Sequence, residues 1–141
     1  MDIRTLTPTY AVSPQIDPAD IPAIAAAGFG TIICNRPNAE IPPSHHDAVL
    51  KAAAEAAGLS FVILPVTHQS MTLDLVDSQA AVIADAQAPV LAYCASGTRS
   101  TIVWAMGQAK HMPADDIIGA AAKAGYDLGG MRGQLATLAK G

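Results

Sequence analysis

The residues of this chain best suited to chemistry lie together in Cys94-Ala95-Ser96-Gly97-Thr98-Arg99-Ser100. A cysteine thiolate is a strong nucleophile. An arginine fork can hold two oxygens of an anion. The small residues between them, Ala95, Ser96, Gly97 and Thr98, let backbone N–H groups converge on an anion. Gly97 supplies a backbone geometry that a side chain would obstruct. Ser100 follows the arginine and is placed to donate a hydrogen bond to the thiolate or to a leaving sulfur. Buried cysteine is common in its own right. The case for a reactive one rests on the whole arrangement of apolar strand, Cys, small loop, Arg, Ser and helix.

That loop needs a strand before it and a helix after it. Residues 89–93 are an apolar run and residues 98–110 carry helix formers. A site beyond the carboxyl end of a parallel strand, at a helix N-terminus, has free N–H groups and partial positive charge. Both effects, with Arg99, favour the thiolate over the thiol. Upstream, Tyr10-Ala11-Val12 reads as a short strand. Asp17-Pro18-Ala19-Asp20 opens a helix that Gly28 stops. Residues 29–34 and 59–66 read as buried strands. Residues 44–57 read as a helix with a capping-box-like start at Ser44-His45-His46-Asp47. Residues 72–86 form another, with Leu73, Val76, Ala80 and Ile83 on one face. From Pro113 on, two shorter helices split near Gly125. Alternating strands and helices predict an α/β fold, a mostly parallel central sheet flanked by helices, as one domain over residues 1–141.

Composition bounds the function. The chain has 141 residues, 51% hydrophobic and 14% charged, which excludes disorder and suits one core. A net charge of −4 with no Lys/Arg cluster argues against nucleic acid as a partner. No apolar run reaches the roughly 18–20 residues of a membrane span. The N-terminus lacks the pattern of a signal peptide. Two cysteines do not make a disulfide framework, so the expected compartment is the cytoplasm. The four His residues show no metal-ligand spacing, and neither a metal nor another cofactor is expected. Oligomeric state is not legible.

The segment from Cys94 to Ser100 resembles the signature of the beta-lactamase-hydrolase-like, phosphatase-like domain family. Val12-Ser13-Pro14-Gln15 and residues 28–33 are similar to the family's opening. Asn35-Arg36-Pro37 and Glu40 resemble its second loop, and Ala124-Gly125-Tyr126-Asp127 its C-terminal end. The resemblance implies a dual-specificity-phosphatase-like fold. It also implies cysteine-dependent activity of one of two kinds, since members include sulfurtransferases and phosphatases.

Two features bear on that choice. Cysteine phosphatases place five residues between Cys and Arg, whereas four separate Cys94 from Arg99, the spacing of rhodanese-type sulfurtransferases. A shorter ring has fewer N–H groups and a smaller bowl, suited to a persulfide sulfur or a small oxyanion. Phosphatases of this fold also carry an acidic Asp shortly after the preceding strand. Here that stretch reads Leu64-Pro65-Val66-Thr67-His68, leaving His68 or the nearby Asp74 as candidate general acids. Both features favour a sulfurtransferase working through a Cys94 persulfide. Its substrate is then a small anionic sulfur donor, and an acceptor thiol takes the sulfur. A phosphatase working through a Cys94 thiophosphate stays open. So does a module that binds anions or phosphoproteins without turnover. Arg36 is a candidate substrate-binding residue from the adjacent loop, with Glu40 beside it. Cys34, at the end of the 29–34 strand, is a candidate resolving thiol.

Overall fold

Short apolar runs alternating with amphipathic segments produce a five-stranded sheet in the computed structural model, which describes residues 1–67 and 69–140. The strands are β1 (Arg4–Thr7), β2 (Tyr10–Ser13), β3 (Thr31–Cys34), β4 (Ser60–Ile63) and β5 (Val90–Tyr93), in the spatial order β1-β2-β5-β3-β4. β2, β5, β3 and β4 run parallel, and β1 is antiparallel to β2. Every residue of the central β5 is buried, as a strand covered on both faces requires. Helices α1 (Ile21–Ala26) and α2 (Asp47–Ala56) pack on the face formed by Ala11, Ile32, Leu91 and Tyr93. Helices α3 (Leu73–Asp85), α4 (Thr98–Gln108), α5 (Ala114–Lys123) and α6 (Arg132–Lys140) cover the other face, where Val12, Ile33, Val90 and Ala92 meet Trp104, Ile117 and Leu135. The mixed α/β architecture with a mostly parallel sheet is the one predicted.

Four local features differ from the sequence reading. β1 was not anticipated, because Arg-Thr-Leu-Thr is short and half polar; it pairs as an edge strand. β4 is the opposite edge rather than a fully buried strand, and its Ile63 is 39% exposed. α2 begins at Asp47 rather than Ser44, because Pro42 and Pro43 set a 3-10 turn over Pro43–His45. The Asp47 amide donates to Asn38 Oδ1 at 2.9 Å, while Ser44 Oγ pairs with His45 Nδ1. In α3, Thr72 is the cap, with Oγ1 accepting from the Leu75 amide at 3.3 Å. Leu73 lies in solvent, and the buried positions are Val76 and Gln79.

Candidate active site

Parallel pairing brings the carboxyl ends of β2, β5 and β3 to one edge of the sheet, and their following segments build the site. The Asn35 amide donates to the Tyr93 carbonyl at 2.9 Å, and the Gln15 amide to the Ala95 carbonyl at 3.4 Å. The loop after β5 therefore sits between the segments after β2 and β3. Cys94 is fully buried, while Ala95, Ser96 and Thr98 form an exposed rim above it.

The Gly97 amide donates to Cys94 Sγ at 3.1 Å. Gly97 holds φ +95°, and a Cβ there would collide with the Tyr126 hydroxyl, so glycine is required on both counts. Gly97 also caps α4: its carbonyl accepts from the Thr101 amide at 3.0 Å and from Thr101 Oγ1 at 2.7 Å. The Arg99 and Ser100 amides lie in the first turn, before any helical carbonyl can accept them. They and the helix dipole favour an anion at this end.

Arg99 is held in place by its outer edge. Nη1 and Nη2 donate to Glu40 Oε2 and Oε1 at 2.8 and 2.7 Å, and Nη1 also donates to the Val66 carbonyl at 2.9 Å. Of the guanidinium's five donors, Nε and the second Nη2 hydrogen, which form the side-on fork, are not taken by Glu40 or Val66. The Glu40 carboxylate raises the pKa of Arg99, and the Cys94 side chain lies close enough to Arg99 to add to that rise. The Arg99 fork in turn holds the Glu40 carboxyl below the usual carboxylate range.

Behind the loop lies a buried polar network. Asn35 Nδ2 donates to Gln79 Oε1 at 2.7 Å and to the Leu64 carbonyl at 2.9 Å. Asn35 Oδ1 accepts from Ser100 Oγ at 2.8 Å and from Gln79 Nε2 at 3.3 Å. Gln79 Nε2 also reaches the Tyr10 hydroxyl at 3.0 Å, and that hydroxyl donates to the Ser100 carbonyl at 2.8 Å. The expected Ser100 bond to the thiolate is thus replaced by a bond to Asn35. The hydroxyl faces the network behind the helix because a buried acceptor waits there.

The remaining candidates are placed as follows. Arg36 lies beside the site but its donors are engaged: Nη1 with Gln15 Oε1 at 3.3 Å, Nη2 with the Glu40 carbonyl at 3.2 Å, Nε with Glu40 Oε1 at 3.4 Å. It supports Glu40, which supports Arg99. Cys34 sits at the end of β3, next to β5, and its thiol donates to the Arg36 carbonyl at 3.3 Å. It shares the α1/α2 face with Tyr93, whereas strand alternation puts Cys94 on the other face. Burial pushes the Cys34 thiol's pKa up, and neither cysteine is in a disulfide. Asp74 is exposed in the first turn of α3 and makes no side-chain hydrogen bond among the described residues. His68 lies outside the described residues. No group of three His, Cys, Asp or Glu side chains among the described residues is arranged to hold a metal ion. No described helix is long and apolar enough to cross a membrane.

Sequence reasoning missed Tyr126, Asn35 and Gln79 as parts of the site. Tyr126 donates its hydroxyl to the Ser96 carbonyl at 2.9 Å. The signal was an aromatic directly after a turn glycine, Gly125, whose φ is +97°. For Asn35 and Gln79 it was a polar side chain at a position that strand or helix periodicity assigns to the interior.

A cysteine and an arginine at the two ends of a small loop, between a central parallel strand and its helix, define the cysteine-dependent phosphatase-like folds. The sequence pattern described as beta-lactamase hydrolase-like protein, phosphatase-like domain, matches residues 2–111, and the chain belongs to that family. Among its relatives is the beta-lactamase hydrolase-like protein of Agrobacterium fabrum, 36% identical over 72% of this chain and 23% of the relative. The protein of that name from Xylella fastidiosa Temecula1 is 30% identical over 92% of this chain and 30% of its own length. The chain thus spans less than a third of either relative. A crystal structure from Neisseria meningitidis Z2491, of a protein provisionally named a phosphatase, superposes with a TM-score of 0.83 at 39% identity. It covers 98% of this chain and 99% of the other. TpbA of P. aeruginosa, solved in complex with pTyr, shares the fold, with a TM-score of 0.59 and 17% identity over 96% and 90% of the chains.

Proposed function

We propose that this chain is a sulfurtransferase that carries sulfane sulfur on Cys94. The observation behind this reading is how the loop deploys its donors. The Gly97 amide points at Cys94 Sγ and Arg99 keeps a side-on fork, while the Ser100 hydroxyl is committed to Asn35. Ester hydrolysis needs a proton for the leaving alkoxide and then help for a departing thiolate. Sulfur transfer also ends with a departing thiolate but needs no proton for an alkoxide. The Cys94 thiolate attacks the outer sulfur of thiosulfate, the S–S bond breaks, and sulfite leaves with the bonding pair. The product is a Cys94 persulfide anion. Cyanide or an acceptor thiolate then attacks the terminal sulfur, and the Cys94 thiolate departs. Charge stays anionic throughout, which the loop amides and Arg99 stabilise. Two free thiols fit work in the reducing cytoplasm.

The second reading is phosphatase chemistry. It draws on the phosphatase-like fold, on the phosphotyrosine bound to TpbA, and on the fork of Arg99, which also suits phosphate. Asp74 or His68 would then serve as acid. A paired assay on wild type and Cys94→Ser separates the readings. Thiosulfate:cyanide sulfur transfer and a Cys94 adduct one sulfur atom heavier are expected for wild type and absent from the variant. Robust aryl phosphate hydrolysis without sulfur transfer would reverse the assignment. Neither activity, with sulfate protecting Cys94 from alkylation, would identify a binding module.

A further inference from the structure

Tyr126 lies outside the cysteine loop, yet one peptide plane ties it to the sulfur. Its hydroxyl donates to the Ser96 carbonyl at 2.9 Å, and the amide of the next residue, Gly97, donates to Cys94 Sγ at 3.1 Å. Carbonyl and amide belong to the same peptide unit, which is planar and trans, so they point in opposite directions. Holding the carbonyl outward holds the amide on the sulfur. Within the loop the plane is tied by the Gly97 amide's own bond to Cys94 Sγ, with Ser96 Oγ accepting from the Thr98 amide at 3.4 Å, while glycine at φ +95° leaves it freer to turn than any other residue type would. Turned over, the unit would aim the Ser96 carbonyl dipole at the thiolate and at any incoming anion.

Tyr126 is itself braced. The Arg4 guanidinium sits 5.3 Å from its ring centroid, and Arg4 Nη1 donates to the Ala124 carbonyl at 3.0 Å. Asp2 Oδ2 accepts from Arg4 Nη2 at 2.9 Å. Burial pushes the pKa of the Tyr126 hydroxyl above the ordinary phenol value, so the donated proton stays in place through neutral pH.

We propose that Tyr126 is a positioning residue whose hydroxyl locks the Ser96–Gly97 peptide with its N–H toward Cys94, keeping the loop in its anion-accepting form. The proposal rests on the reading of this loop as the site that handles the anionic substrate, and it applies to sulfur or phosphoryl chemistry alike.

The test is Tyr126→Phe, which keeps the ring and the Arg4 contact and removes only the hydroxyl. Three changes are expected. The sulfate concentration that half-protects Cys94 from iodoacetamide rises about tenfold, the effect of losing one hydrogen bond that orients a charged site. The kcat of thiosulfate:cyanide transfer falls by about the same factor. The Gly97 amide proton resonance moves upfield as its bond to sulfur is lost. Arg4→Gln keeps the hydroxyl but frees the ring, and should produce the same changes at about threefold. Wild-type sulfate protection and an unmoved Gly97 resonance in both variants would overturn the proposal. Should wild type move no sulfur, the functional reading fails separately, and sulfate protection and the Gly97 resonance still decide the role of Tyr126.

Discussion

Replacing Asn35 with alanine should be the most costly single change near the site. Asn35 is fully buried and satisfies four groups: the Leu64 carbonyl, both ends of the Gln79 amide and the Ser100 hydroxyl. Each buried polar group left without a partner costs about 1–3 kcal/mol. Gln79 keeps its bond to the Tyr10 hydroxyl at 3.0 Å, and the Ser100 hydroxyl can rotate, so the full penalty is not reached. The expected loss is about 3–5 kcal/mol, against about 5–15 kcal/mol for a typical domain. The variant should therefore fold but unfold at much lower urea, with an unchanged slope. A double-mutant cycle with Ser100→Ala isolates one bond and should return a coupling of about 1 kcal/mol. A loss for Asn35→Ala below about 1 kcal/mol would show that the network is not satisfied as described. The reasoning from buried partners would then fail.

Three further outcomes are expected. Arg99→Lys keeps the charge but not the side-on fork, so sulfur transfer from thiosulfate should fall about a hundredfold; steady-state rates within about threefold of wild type would contradict this. Glu40 titrates at lower pH in the folded protein than unfolded, so its pair with Arg99 stabilises fully above the unfolded pKa of about 4.3. That contribution is lost as pH falls through the lower folded value. Urea titrations across that acid range should show a flatter pH dependence in Glu40→Gln, and the difference should be small because the Glu40 side chain is 37% exposed. The Tyr93 hydroxyl is buried with no hydrogen-bond partner among the described residues. Tyr93→Phe should therefore match or exceed wild-type stability, by up to about 1 kcal/mol in urea unfolding.

The part of this protein legible in sequence was the part written in local pattern. The four-residue run Val90–Tyr93, the glycine at 97 and the helix formers after Thr98 sufficed to place Cys94 and Arg99 at the head of α4. The alternation of strands and helices gave the parallel sheet. What stayed hidden depends on contacts between distant segments. Ser100 follows Arg99 directly, so adjacency suggested the thiolate as its partner. Its real partner, Asn35, is 65 residues away, brought near by the β3–β5 pairing. Arg36 and Glu40 were visible as a pair beside the site. That Glu40 spends its carboxylate on Arg99 required the position of the 3-10 turn over Asn38–Glu40. Tyr126 carried a turn glycine and a place in the family-like segment Ala124-Gly125-Tyr126-Asp127 as signals, but neither pointed to the cysteine loop. β1 carried none, since its pairing depends on the adjacent strand β2 and not on its own four residues.

The cysteine loop draws on residues from nearly the whole length of the polypeptide. Tyr10 meets Ser100 across 90 positions, Glu40 meets Arg99 across 59, and Arg4 meets Ala124 across 120. Contacts of such separation close late, because long loops must be ordered before they are rewarded. On a chain still being synthesised, Cys94 emerges well before Tyr126. Until then its loop lacks the bond from the Tyr126 hydroxyl to the Ser96 carbonyl. The loop is therefore completed at the end of folding, and until it closes Cys94, fully buried in the folded protein, stands open to the oxidants around it.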